Sequence, residues 1–407
     1  MLSLSGDIAL NKYLLLTPGP VNVANNVRMA IAKEDICHRE VDFDLLLAGI
    51  EQKLLNVFEI KAVDDYRAVV ITGSGTAANE AMLSSVVGDK KILVLSNGEF
   101  GDRLHEISKI HNQNTSVLEF PWGQSLDINI ISDYLEHNSI DVIAMVHHET
   151  SSGILNSLEQ IGTLAKIHNA KFIVDCVSSA GAEAIDVKRN NIDFFSSSSS
   201  KALGSYPGLS FVIGKTTEFE KLKNYPIKTA YLNLYKFYTF LKTVSQTPNT
   251  PAVPLFFALD QALSNILEQG VANRYADLRS KANFLRSGMQ KLGFNFLLHE
   301  RDMCSILTSV YVPADIDVDV LRQKLRDKSI IIYEGKGCFK HKVFQVGNIG
   351  EISFEDIQFF LDIQKEILQS SNILESHKLI SLPKIRPLIN KTKSILTPSP
   401  LVAVSIV

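Results

Sequence analysis

Five short segments of the chain carry side chains whose chemistry converges on one kind of ligand. Lys201 follows the serine run Ser196 to Ser200, with turn residues beyond it at Gly204 and Pro207-Gly208. Schiff-base chemistry needs a lysine that loses its proton near neutral pH, and partial burial beside other cations lowers the pKa in that way. An ordinary lysine in a Ser-rich loop looks the same locally. Asp175 closes the apolar run KFIVD and opens Asp175-Cys176-Val177-Ser178-Ser179. An acid at that place is partly desolvated and needs a cation or donors. A protonated pyridine nitrogen serves, and so does the first turn of a helix that the acid caps.

The other three segments supply a phosphate cradle, a ring and a hydroxyl. Gly73-Ser74-Gly75-Thr76 precedes the helical run AANEAML. Glycines let the backbone approach an anion, and a helix start offers unpaired N–H groups to it. A tight turn has the same spelling. Phe100, in Asn97-Gly98-Glu99-Phe100-Gly101, either lies over a planar ligand or packs in the core. Thr150, in His147-His148-Glu149-Thr150-Ser151-Ser152-Gly153, is a hydroxyl donor for a ligand oxygen. His147 and His148 adjoin, but neighbours on a strand face opposite ways and no CxxC or HxxxH partner accompanies them, so no metal site is expected. An anion cradle, a stacking ring, an acid for a ring nitrogen and an amine are together what pyridoxal 5'-phosphate (PLP) requires.

These segments need a frame that brings them together. The runs Arg67–Thr72, Lys91–Ser96, Asp141–His147, Lys171–Asp175 and Leu209–Gly214 are apolar throughout, as in strands buried on both faces. Thr76–Val87, Phe100–His111 and Leu158–His168 carry apolar residues at helical spacing. The alternation predicts a mainly parallel α/β sheet covered by helices. Four of the five segments sit just past the carboxyl end of a predicted strand, the edge where such sheets bind ligands. Beyond the Pro/Thr-rich loop Gln246–Pro254, helices are expected over Leu255–Glu268 and Arg274–Leu292. Strands Ser305–Val312 and Ile330–Tyr333 and a closing helix Phe354–Gln369 complete a smaller α+β unit. The expected division is an arm at 1–15, a large ligand-binding domain at 16–250, a small domain at 251–370 and a basic Pro/Ser-containing tail at 371–407.

Composition excludes several classes of function. The 407 residues, 45% hydrophobic, can bury a sizeable core, and 41 basic against 44 acidic side chains give a net charge of −3. No global basic field draws nucleic acid or anionic membrane, so a small ligand or another protein is the expected partner. Cys37, Cys176, Cys304 and Cys338 are far apart, without zinc or disulfide spacing. No stretch reaches the ~20 apolar residues of a membrane span, and the start lacks a secretory pattern; a cytoplasmic protein is expected.

From Leu14 to about Leu368 the chain resembles the class V (fold type I) aminotransferases, and among them the 2-aminoethylphosphonate–pyruvate transaminases. The resemblance rests on LTPGP near the start, GSGTAANEA, SNGEFGDR, MVHHETSSGILN, IVDCVSSAG, SSSSSKALGSYPG and VGNIGEIS, in that order. It implies a PLP enzyme of fold type I, with a mainly parallel seven-stranded sheet and a smaller C-terminal α+β domain. It further implies amine and 2-oxo acid substrates, and a homodimer with shared active sites. By the same resemblance Lys201 holds PLP as a Schiff base, Asp175 pairs with the pyridinium and Phe100 stacks on the ring. Val177 lies on the opposite ring face and Thr150 near the phenolic oxygen. Ser74, Gly75, Thr76 and Ser200 contact the phosphate, Thr247 and Thr250 reach in from the partner, and Gly19 meets substrate. One position departs: the family's substrate-carboxylate arginine is replaced by Gln345 in Phe344-Gln345-Val346-Gly347-Asn348-Ile349-Gly350. A neutral amide cannot match a charged bidentate donor, so either another cation (Arg39, Lys336, Lys340 or Lys342) supplies the charge or the substrate differs. Two other readings stand beside the transaminase. One is a PLP-dependent lyase of the desulfurase type using Cys338, although those enzymes stack histidine where this chain has Phe100. The other is a non-catalytic PLP-fold assembly protein.

Overall fold

The computed structural model describes residues 13–314 and 316–370. The tail at 371–407 and residues 1–12 of the expected arm lie outside them. The apolar runs assemble into one seven-stranded sheet. Its strands are β1 (Tyr66–Thr72), β2 (Ile92–Ser96), β3 (Thr115–Glu119), β4 (Val142–Val146), β5 (Lys171–Asp175), β6 (Phe194–Ser198) and β7 (Leu209–Lys215). Their spatial order is β1-β7-β6-β5-β4-β2-β3. Only β7 runs antiparallel to its neighbours; every other pair is parallel. The expected α/β class with a mainly parallel sheet is therefore the observed one.

Five strands lie where the apolar runs placed them, and two were not read from the sequence. β3 (TSVLE) is an edge strand paired only with β2, and its exposed side tolerates polar residues that break the apolar pattern. β6 (FFSSS) looks like a Ser-rich loop, yet all its residues are buried in the sheet. Buried hydroxyls are tolerated when bonded. Ser196 donates to Asn79 and Ser197 to the Cys176 carbonyl.

Helices α1 (Gly75–Val86) and α2 (Glu99–His111) start directly after β1 and β2. α3 (Val253–Gln269) buries Phe256, Leu259, Leu263 and Ile266 in this first core, beyond residue 250, where the sequence reading began the second unit. A second core joins α4 (Val271–Lys291), an antiparallel sheet and α5 (Phe354–Ser370). That sheet has the order β8 (Leu307–Tyr311), β10 (Val343–Gly347), β9 (Tyr333–Glu334). Phe344 of β10 and Phe360 of α5 are fully buried in this second core, each worth roughly 1.5–3 kcal/mol. The expected strand Ile330–Tyr333 is divided: Ile330–Ile331 pairs with Leu14–Leu15, and Tyr333–Glu334 joins β10. Among the described residues no helix is long and apolar enough to cross a membrane.

For the site, one consequence of this topology matters most. β1, β2, β4, β5 and β6 point the same way, so the segments after them share one edge of the sheet.

Candidate active site

At that edge Thr76, Phe100, Thr150, Asp175, Val177 and Lys201 line a single pocket. Ser74 caps α1 from the extended region without a side-chain cap bond, and the amides that follow begin the helix, where no intrahelical acceptor exists. A side chain at Gly75 would meet Val177 Cγ2 at 2.7 Å, so only glycine lets the cradle and Val177 approach this closely. Ser200 flanks Lys201 and shares a 3.3 Å hydroxyl contact with Ser198. Thr150 and Ser178 pair through their hydroxyls. Gly19 sits on Lys201: a Cβ there would lie 2.8 Å from the lysine's Cδ. Thr247 and Thr250 do not line this pocket. Thr247 is buried and bonds Asn249, Thr250 is exposed, and Arg39 clamps their loop through the Thr247 and Pro248 carbonyls.

Lys201 donates to the Pro18 carbonyl at 2.7 Å. Burial lowers its amine from 10.5 to about 8; the charge of Lys336 adds to the drop and Asp175 opposes it. An ordinary lysine is neutral in ~1 molecule in 300 at the pH where this one is half neutral. Only the neutral amine attacks a carbonyl. Trapping of an aldehyde on Lys201 by borohydride is therefore expected to accelerate about tenfold per pH unit below pH 8 and to level off above it. A rate that keeps climbing to pH 10 would show an ordinary lysine.

Asp175 is fully buried, and burial raises its carboxyl pKa. It accepts from the Val177 amide at 2.8 Å and from the Asn79 side chain at 2.6 Å, both neutral donors. Asn79 in turn accepts from Ser196, so a three-residue chain fixes the carboxylate's orientation. Sequence reasoning missed Asn79, although a polar residue one helical turn beyond Thr76 on an otherwise Ala-rich stretch was the available signal. It also missed Arg103 and His148, which line the pocket. Burial pushes the His148 imidazole down to about 3, so it is neutral here. His147 faces away from the pocket and contacts the Ser179 hydroxyl at 2.9 Å. Among the described residues no group of three or more His, Cys, Asp or Glu could hold a metal.

Phe100 is held by Glu149. This buried carboxylate accepts from the amides of Phe100 (3.1 Å), Gly101 (3.0 Å) and Ser151 (3.1 Å), capping α2 from below. Gln345 is buried and absent from the pocket lining. Its amide donates to the carbonyls of Thr150 (2.8 Å) and Ser151 (3.3 Å) and to Ser309 Oγ (3.1 Å), tying β10 to the turn that carries Thr150. Cys338 is exposed and does not line the pocket.

The donor set fits PLP. A buried carboxylate held only by neutral donors is electrostatically incomplete, and a protonated ring nitrogen completes it. The α1 amides suit a phosphate, Phe100 and Val177 offer apolar faces to a flat ring, and Lys201 is a depressed amine.

Comparison with known proteins places the chain in one family. The family model described as aminotransferase class-V matches residues 32–364. The chain is 33% identical to the 2-aminoethylphosphonate–pyruvate transaminase of Phocaeicola vulgatus, over 88% of this chain and 99% of that protein. Among solved structures, the ureidoglycine–glyoxylate aminotransferase of Bacillus subtilis superposes with a TM-score of 0.84 at 25% identity, covering 90% of this chain and 95% of the other. The alanine–glyoxylate aminotransferase of a Nostoc species also gives 0.84 at 25% identity, covering 89% and 97%.

Proposed function

The chain belongs to the class-V aminotransferases, and from that premise we propose that it is a PLP-dependent transaminase acting on a small acidic amine, of the 2-aminoethylphosphonate type, with a 2-oxo acid such as pyruvate as acceptor. The observation that carries this reading is the meeting of a depressed Lys201 amine and a buried Asp175 carboxylate in one pocket at the sheet's ligand-binding edge.

Bound in this pocket, PLP would supply an electron sink that carries the amino group between two substrates. The amides of Ser74, Gly75 and Thr76, with Ser200, would hold its phosphate, and Phe100 and Val177 its ring faces. Asp175, oriented by Asn79, would keep the ring nitrogen protonated, and Thr150 would donate toward the phenolic oxygen. Lys201 has two tasks. It would anchor the cofactor, and its free amine would take and return the proton at the amine-bearing carbon, for which a pKa of about 8 suits it. Thr247 and Thr250, which do not line this pocket, are assigned to the second site of a homodimer.

The test is to incubate PLP-loaded protein with 2-aminoethylphosphonate and pyruvate and to measure alanine. Alanine forming with ping-pong kinetics is the expected result. A cofactor-loaded protein that transfers no amino group from any amine in a broad panel would overturn the proposal.

A further inference from the structure

Glu99, Phe100 and Arg103 fall within one turn of α2, and Lys336 lies on the loop between β9 and β10, in the part of the fold built on the second core. Arg103 and Lys336 both reach the same oxygen, Glu99 Oε1, at 3.0 and 3.1 Å. Both also lie over the Phe100 ring: Arg103 Cζ is 4.7 Å and Lys336 Nζ 5.2 Å from its centroid. Two cations from distant parts of the chain thus share a single carboxylate beside the pocket, which Phe100 and Arg103 line, and one of the three charges, a positive one, is left over. The side chains are 28% (Glu99), 36% (Arg103) and 45% (Lys336) exposed, so the cluster is open to solvent and its ion pairs are weak enough to exchange. Lys336 is also felt at Lys201, whose pKa it helps to lower.

We infer that Arg103 and Lys336 are the recognition site for the substrate's acid group, and that Glu99 is an internal carboxylate which an anionic substrate displaces. The inference rests on the reading of the pocket as an amine site and names what replaces the strand arginine. Gln345 cannot serve, because its amide is committed to backbone carbonyls. Arg39 cannot either, since it holds the 246–248 segment. A planar guanidinium fork beside a point-charge ammonium suits a group with several charged oxygens. The substrate class is therefore a small primary amine bearing a phosphonate, phosphate or carboxylate. A neutral amine offers these cations nothing in exchange for Glu99.

Calorimetry with ethylphosphonate, which carries the acid group but no amine to react, tests this on the full-length PLP-loaded protein. Wild-type protein is expected to bind it. Arg103→Gln and Lys336→Gln should each weaken binding by about tenfold or more, and Arg103→Lys should fall between them and wild type. Glu99→Gln should tighten binding several-fold, because the internal competitor is gone, an effect that a merely structural Glu99 would not produce. Unchanged affinity in both Arg103→Gln and Lys336→Gln, or weaker binding in Glu99→Gln, overturns the inference. The two readings fail separately. Protein with bound cofactor that ignores ethylphosphonate sinks the anion site alone. Protein that binds ethylphosphonate as described but never fixes PLP on Lys201 sinks the proposed function alone.

Discussion

Lys201→Ala is expected to abolish the visible absorbance of lysine-bound cofactor and to lower turnover by on the order of 10⁴-fold or more. Two contributions are lost together. General acid–base transfer by one positioned side chain accounts for ~10²–10⁴-fold, and covalent anchoring of the cofactor comes on top of it. The fold should survive, because among the described residues the Lys201 side chain hydrogen-bonds only the Pro18 carbonyl. The backbone turn is held independently, by Gly204 N to the Lys201 carbonyl (2.9 Å) and by Arg274 to the carbonyls of Gly181 and Ala202. An unchanged melting temperature beside the lost band would identify the effect as chemical. A borohydride-reducible adduct that persists in Lys201→Ala would place the reactive amine elsewhere.

Asp175→Asn should leave PLP bound and lower turnover by about three powers of ten. A unit charge pair ~4 Å apart at an effective dielectric near 20 is worth ~4 kcal/mol, and each ~1.4 kcal/mol is a factor of ten in rate. The amide keeps the shape, and its one oxygen can still accept from the Val177 amide. Its NH2 then faces Asn79, whose own side-chain amide must turn over to accept from it, so folding and phosphate contacts are little disturbed. What it loses is the charge that holds a ring proton. The diagnostic measurement is the pH dependence of the bound cofactor's spectrum, in which ring deprotonation should appear at lower pH than in wild type. Turnover within tenfold of wild type would remove Asp175 from the role. Asn79→Ala acts on the same carboxylate through one hydrogen bond and should show the smaller version of both changes.

The place of Asp175 was legible in the sequence, and the reason is local, whereas Lys201 stood out only beside the other segments. A strand buried on both faces is a continuous apolar run, so KFIVD announces both β5 and the acid at its end. Glycines before a helical run announce the α1 cradle in the same way. The alternation of strands and helices then dictates parallel strands, and parallel strands put their carboxyl ends on one edge. That much follows from short-range pattern and chain direction.

The rest depended on which distant residues meet. β6 spells a serine loop, and only its place between β5 and β7, with partners for its hydroxyls, makes it a strand. Asn79 becomes Asp175's partner across 96 residues of chain, Gln345 becomes a brace for Thr150 across 195, and Lys336 meets Glu99 across 237. No window of sequence contains such pairs. Gln345 shows the difference most sharply: its type revealed that an expected cation was missing, while only the packing of β10 on the Thr150 turn decided that its amide faces backbone carbonyls. Residue type fixes what a side chain can donate or accept. Which group receives it is decided by the fold, because buried donors take the nearest acceptor that packing presents.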